Sequence, residues 1–194
     1  MAETKTTDAA EAPEAEAAPP KPRRRITRRK AVEAHARSYF EAIAKHDTQA
    51  LTSHWSPDGV DDFVPLGTLR GHGEIAGFFD ELFAAVPDLE MTVTRLVAGE
   101  RQAAVEWRMT GHFTGEPFQG LDATGKRLDM RGLDLLEIED GAIVGNTAYY
   151  DGMAFARQIG LMPPENSGAE RAMKSAFNAA TRARRAVADW RSSR

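Results

Sequence analysis

From Leu89 onward the chain takes on a period of two. "LEMTVTRLVA", "QAAVEWRMTGHF", "KRLDMRGLDLLEI" and "AIVGNTAYYD" each alternate apolar and polar residues over much of their length. That is the pattern of a strand with one buried face. The breaks between them hold Gly99, Gly125 and the pair Asp140-Gly141, turn residues of the kind that join antiparallel neighbours. Four such segments in a row commit this half of the chain to a sheet, and the rest has to cover one face of it.

The preceding residues read mainly as helices. From Thr27, Val32, Tyr39, Phe40 and Ile43 fall on one face at three- and four-residue spacing. Asp47 can cap a second helix, "TQALTSHW", which His54 and Trp55 close. "SPDGV" reads as a turn, "GVDDFV" as a short strand and "VPLGTLRG" as a loop or hairpin. "GHGEIAGFFDELFAAVPD" is a third helix, with Ile75, Phe78, Phe79, Leu82 and Phe83 inward. The predicted class is α+β, with three N-terminal helices packed in one curved antiparallel sheet. Such a sheet wrapped by helices makes a cone, and short helices leave room in it for a cavity. "GMAFARQIGLMPP" is a short helix stopped by Gly160, and "GAERAMKSAFNAATRARRAVADW" is a final one.

Length and charge set further bounds. A chain of 194 residues holds one ordinary domain with tails. The absence of cysteine excludes disulfides, thiolate metal sites and thiol catalysis. Without a long apolar run or an N-terminal apolar core segment, a soluble cytoplasmic protein is expected. Residues 1–26 read as a disordered tail ending in a basic run, 27–164 as the folded domain and 165–194 as a basic C-terminal helix. The net charge of −4 conceals an asymmetry: residues 31–167 carry ten basic and twenty-two acidic side chains, while 21–30 carry seven basic residues and no acid, and 168–194 carry seven against Glu170 and Asp189. The basic flanks fit an interfacial helix, nucleic-acid contact, or packing on the acidic body or a neighbouring subunit. No nucleic-acid motif is present, and no specific nucleic acid is predicted.

One residue breaks the strand pattern in a way that suggests chemistry. In "RGLDLLEIEDG", Gly132, Asp134, Leu136 and Ile138 share a face, opposite Leu133, Leu135, Glu137 and Glu139. A carboxylate on the more apolar face is costly to ionise, so its pKa rises toward that of a general base. On "QAAVEWRMTGHF", Ala103, Val105, Trp107, Met109 and Phe113 share one face, with Trp107 and Met109 serving as core or as substrate wall. His35, His46 and His72 lack metal-ligand spacing, and no metal or other cofactor is predicted. The glycines of "GTLRGHG" form no phosphate loop.

Taken in order, "SPDGVDDFVP", "LRGHGEIAGFFDELFAAVPDLEM", "WRMTGHFTG", "GLDLLEIEDGAIV" and "YYDGMAFARQIGLMPP" resemble the SnoaL-like polyketide cyclases of the nuclear transport factor 2-like superfamily, over roughly residues 31–164. The resemblance implies a homodimer formed through the outer sheet face. It also implies cofactor-independent acid–base chemistry on a hydrophobic carbonyl compound: aldol cyclisation, isomerisation or dehydration. A non-catalytic ligand-binding or dimerisation module of the same fold is the alternative. The family's cavity histidine falls on Asp134 and its catalytic carboxylate on Ala148, which cannot take a proton. Isomerases of the superfamily place a base on the first strand, where alternation turns either Asp61 or Asp62 inward, and Asp61 is selected. They also place an oxyanion donor on helix one, where Tyr39 stands. The resemblance favours a three-residue loop, Glu139 to Gly141, that sets Asn146, Ala148 and Tyr150 beside Asp134; a two-residue turn would set Thr147 and Tyr149 there. "GHFTG" carries Phe113 where the family often has histidine, and moves His112 to the outer side. The site set is therefore Asp134 and Asp61 as catalytic candidates, with Tyr39, Trp55, Trp107, Met109, Phe113 and Tyr150 around the substrate.

Overall fold

The structure, a computed structural model, describes residues 22–193. In chain order the elements are α1 (Pro22–Ala44), α2 (Thr48–Ser53), β1 (Trp55–Phe63), β2 (Gly67–Arg70), α3 (Gly71–Ala85), β3 (Glu90–Ala98), β4 (Gln102–His112), β5 (Arg127–Glu139), β6 (Ala142–Tyr150), α4 (Gly152–Ile159) and α5 (Gly168–Ser192). The strands form one sheet in the order β2-β1-β6-β5-β4-β3.

The third helix follows the β1–β2 hairpin, after the short strand and the hairpin read from the sequence. One expectation about architecture is corrected. The sheet is mixed, because β1 runs parallel to β6 while every other pair is antiparallel. The reason is topological: the first and last strands meet inside the sheet, as its second and third members, and α3 carries the chain from the short edge strand β2 across to β3 on the far edge. The boundary at residue 27 also moves. Helix α1 starts at Pro22 and takes in much of the basic run, while residues 1–21 of the expected tail lie outside the described residues. Trp55 opens β1 rather than closing α2, which ends at Ser53.

The apolar faces fall where periodicity puts them. Val32, Ala36, Tyr39, Phe40 and Ile43 of α1 are buried, as are Ile75, Phe78, Phe79, Leu82 and Phe83 of α3. Both stripes meet the inner sheet face, where Ala103, Val105, Trp107 and Met109 of β4 and Met130, Leu136 and Ile138 of β5 are buried. Asp47 caps α2, accepting from the Ala50 N–H at 2.8 Å.

The β5–β6 connection sets the register of the site. It is a two-residue turn, with Asp140 and Gly141 both at positive φ (48° and 83°), and not the expected three-residue loop. Glu139 pairs with Ala142 and Ile138 with Ile143, but Glu137 then pairs with Gly145. Val144 is the extra residue of a bulge. Beyond it Asp134 faces Ala148 and Gly132 faces Tyr150. The bulge thus restores the parity that the turn alone would have lost.

Candidate active site

Asp134 and Asp61 come together on the inner face through a single amide. Asn146 lies between them on β6, paired with Asp61 of β1 on one side and with Leu136 of β5 on the other. Its Nδ2 donates to Asp61 Oδ1 at 2.9 Å and to Asp134 Oδ2 at 3.0 Å. The other oxygen of Asp134 accepts from the Trp107 indole N–H at 2.7 Å. Asp61 Oδ2 has no partner among the described residues. Neither carboxylate forms an ion pair among those residues.

The Trp107–Asp134 contact depends on Gly132. A β-carbon built there would lie 2.2 Å from Trp107 Cζ2, so only glycine lets the indole lie flat across β5 and reach Asp134. This is a packing reason for the Gly-x-Asp spacing of "GLD".

Burial sets the protonation of the cluster. Asp134 is 5% exposed and Asp61 is fully buried. Burial pushes Asp134 up to about 6, with the two hydrogen bonds pulling the other way. Asp61 is pushed well above the usual carboxylate range, first by burial and then by the charge of Asp134. The Tyr39 hydroxyl is likewise raised by burial and by the two carboxylates. The Trp55 indole N–H has no partner at hydrogen-bond distance among the described residues, but lies near enough to Tyr39 to favour its ionised form slightly. Tyr150 is pushed up to about 12 by burial, so its hydroxyl stays protonated.

A cavity of about 70 Å³ opens in front of Asp134. Trp107, Met109, Asp134 and Tyr150 line it, together with aromatic and apolar residues that include Phe63, Phe78, Phe118 and Phe155. Leu66, also in the wall, is 43% exposed and marks where the cavity reaches the surface. Four of the expected site residues are absent from the wall. Tyr39, Trp55 and Asp61 form a layer behind Asp134, and Phe113 is a buried core residue whose neighbours on β4 separate it from Asp134. Phe113 is therefore withdrawn from the substrate set. His112 faces outward and pairs with Asp88 at 2.7 Å. Sequence reasoning gives Asn146 a place beside Asp134 but no role. The available signal was its residue type, since asparagine is disfavoured in strands and costly on an inner face without a partner.

No group of three or more His, Cys, Asp or Glu among the described residues is arranged to hold a metal ion. No helix among them is long and apolar enough to cross a membrane.

Comparison with known proteins places this geometry. Solved structures similar to the chain include a candidate SnoaL-like polyketide cyclase from Jannaschia sp. CCS1, with TM-score 0.63 and 20% identity, covering 70% of this chain and 95% of that one. AclR from Streptomyces galilaeus, a candidate hydroxylase, has TM-score 0.63 and 20% identity, covering 80% and 98%. IdmH from Streptomyces antibioticus, a candidate polyketide cyclase, has TM-score 0.57 and 24% identity, covering 66% and 97%. At these identities the likeness is one of fold. No curated protein matches the sequence. The family model for the SnoaL-like polyketide cyclase matches residues 33–159, which span every strand and all of the cavity wall. By that match, the chain belongs to the SnoaL-like polyketide cyclase family.

Proposed function

We propose that this protein is a cofactor-independent acid–base enzyme acting on a hydrophobic carbonyl compound, with Asp134 as the proton acceptor. One observation carries the reading. Asp134 is a buried carboxylate in the wall of an otherwise largely apolar cavity, held by two N–H donors and titrating near 6. A carboxylate tuned to that range is mostly ionised at neutral pH, yet basic enough to take a proton from carbon beside a carbonyl. The strand pairing adds support. Asp134 is the cross-strand partner of Ala148, the position on which the family's carboxylate falls, so the acid group sits one strand over and serves the same cavity.

The chemistry balances without an external cofactor. Asp134 removes a proton from the carbon next to the carbonyl. The resulting enolate attacks a second carbonyl of the same molecule, and the new alkoxide takes the proton back. Isomerisation uses the same two transfers at different carbons. The Tyr150 hydroxyl, protonated and in the wall, serves as hydrogen-bond donor to the developing oxyanion.

A second reading, a non-catalytic ligand-binding module, is favoured by Ala148, which leaves the family's carboxylate position without a titratable group. About 70 Å³ is well below the ~300 Å³ or more of usual ligand sites, so a polyketide-sized ligand enters only if the wall moves. The exposed outer-face residues Leu133, Leu135 and Tyr149 support sheet-to-sheet homodimerisation in either case.

The test is turnover of a panel of polyketide-like β-keto esters, steroids and terpenoids by the native protein and by Asp134→Asn. The expected outcome is a loss of about 10²-fold or more in kcat with ligand binding retained. An unchanged rate removes Asp134 from the mechanism, and a compound bound tightly but recovered unaltered favours the binding module.

A further inference from the structure

The cluster behind the cavity holds more than a single base requires. Asp61 is fully buried and absent from the cavity wall, so it cannot touch a substrate there. Both it and Asp134 lie within 3.0 Å of the same Asn146 nitrogen, which puts the two bonded oxygens within about 6 Å of each other by hydrogen-bond geometry. Two negative charges at that separation, buried and without a cation, disfavour each other strongly. One of the two therefore keeps a proton, and hydrogen bonding decides which. Asp134 has a donor on each oxygen, whereas Asp61 has a donor on one and nothing on the other. Donors stabilise the charged form, so the charge belongs on Asp134.

We propose that Asp61 is a positioning residue: a neutral carboxylic acid that anchors the Asn146 amide so that one of its N–H bonds stays directed at the Asp134 base. This rests on the reading of Asp134 as the base. The amide cannot turn over while Asp134 is charged, since its carbonyl oxygen would then face an anion. With Asp61 also charged, the two anions would repel each other across the same amide.

Other groups facing Asp61 do not offer a rival charge. From α1 it meets Tyr39, itself held neutral. From β2 its partner is Leu69, and α3 packs on β1 with the Phe78 ring tilted against Phe63. Helix α2 carries no charged residue, although His54 at its end lies near the Tyr39 ring and is held below its usual range by burial. Asp62, next in the strand, adds a small push in the same direction as Asp134. The causes agree with this order: the charge of Asp134 adds to burial in raising Asp61, whereas burial is what raises Asp134.

Carboxyl carbon-13 NMR on the full chain tests the assignment without a substrate. In the native protein the Asp61 resonance should stay at its protonated position through pH 7, while Asp134 titrates near 6. In Asp61→Asn the Asp134 midpoint should stay where it is, because one neutral side chain replaces another. In Asn146→Ala it should rise, because a donor to the anion is lost. An Asp134 midpoint that falls by a unit or more in Asp61→Asn would show that Asp61 was charged, and would overturn the proposal. So would an Asp61 resonance that moves before that of Asp134, a measurement on the native protein that stands even if a variant fails to fold. Failure of the enzymatic reading is a separate result, seen as undiminished turnover in Asp134→Asn.

Discussion

At the scale of the residue, Asp134 makes stability depend on pH in a definite direction. Its carboxyl titrates near 4 in an unfolded chain and near 6 in the fold. The folded state binds the proton more tightly, so this contribution is complete below pH 4 and is lost as pH rises through 6. A difference of about two units corresponds to about 3 kcal/mol. Asp61, raised by burial and by the charge of Asp134, acts in the same sense. Asp88 and Asp129 are held low, mainly by His112 and Arg108 respectively, and act in the opposite sense, below pH 4. Urea unfolding at intervals from pH 4 to 8 should therefore give the native protein a steeper fall in stability than Asp134→Asn, in which the slope that remains is that of Asp61 and the other groups. Equal slopes would mean that Asp134 titrates normally. Gly132 offers a second check at this scale. Gly132→Ala forces its β-carbon into the Trp107 ring, which should destabilise by about 1–3 kcal/mol. With the indole displaced, Asp134 loses a donor and its midpoint should move up, which a purely steric defect elsewhere would not cause.

At the scale of the element, the sequence was most legible where a period could be counted. The inward stripes of α1 and α3 and the alternation of β4 and β5 were all readable, because burial of one face dictates residue type along the whole element. Connections were less legible. Asp140-Gly141 was recognisable as a turn, but the bulge at Val144 is marked in the sequence by no more than the glycine beside it, Gly145, and without it Thr147 and Tyr149 would have faced Asp134. The parallel pairing of β1 with β6 was equally hidden, since period shows faces and not neighbours. The cavity wall mixes residues of five or more elements with loop residues such as Leu66 and Phe118, and no single stretch encodes that meeting. Helix α4 delivers one of them. Asp151 caps it, accepting from the N–H groups of Met153 and Ala154 at 2.9 Å each, and Gln158 clamps it to β5 through both main-chain groups of Asp129. That places Phe155 in the wall. Asp151→Ala should cost about 1 kcal/mol in thermal or urea unfolding. Because Phe155 rides on that helix, any ligand held by the cavity should also dissociate faster.

At the scale of the whole molecule, among the described residues the buried apolar core runs from Val32 to Ile159, within the acidic stretch of the sequence, and the basic helix α5 adds no apolar residue to it. The family match ends at residue 159, and α5 begins at Gly168. Among the described residues this helix packs extensively against no other element. Met173, Phe177 and Val187 remain 40%, 68% and 50% exposed along it. Its tie to the domain is near its start, where Glu170 meets Arg157 of α4 at 3.0 Å; Lys174 of the same helix at 3.2 Å and the Asn166 N–H at 2.8 Å are its other partners. Those partners hold the Glu170 carboxyl below its usual range. The expectation that this flank lies along the acidic body is therefore not met within one chain. Everything that sets the site, from Tyr39 to Tyr150, lies upstream of it. Removing residues 168–194 should thus leave the unfolding free energy within about 1 kcal/mol, the size of effect typical of changes away from the core, and leave the Asp134 titration where it is. A loss of several kcal/mol that depends on protein concentration would mean that α5 packs on a second copy, making its apolar stripe part of an intermolecular core.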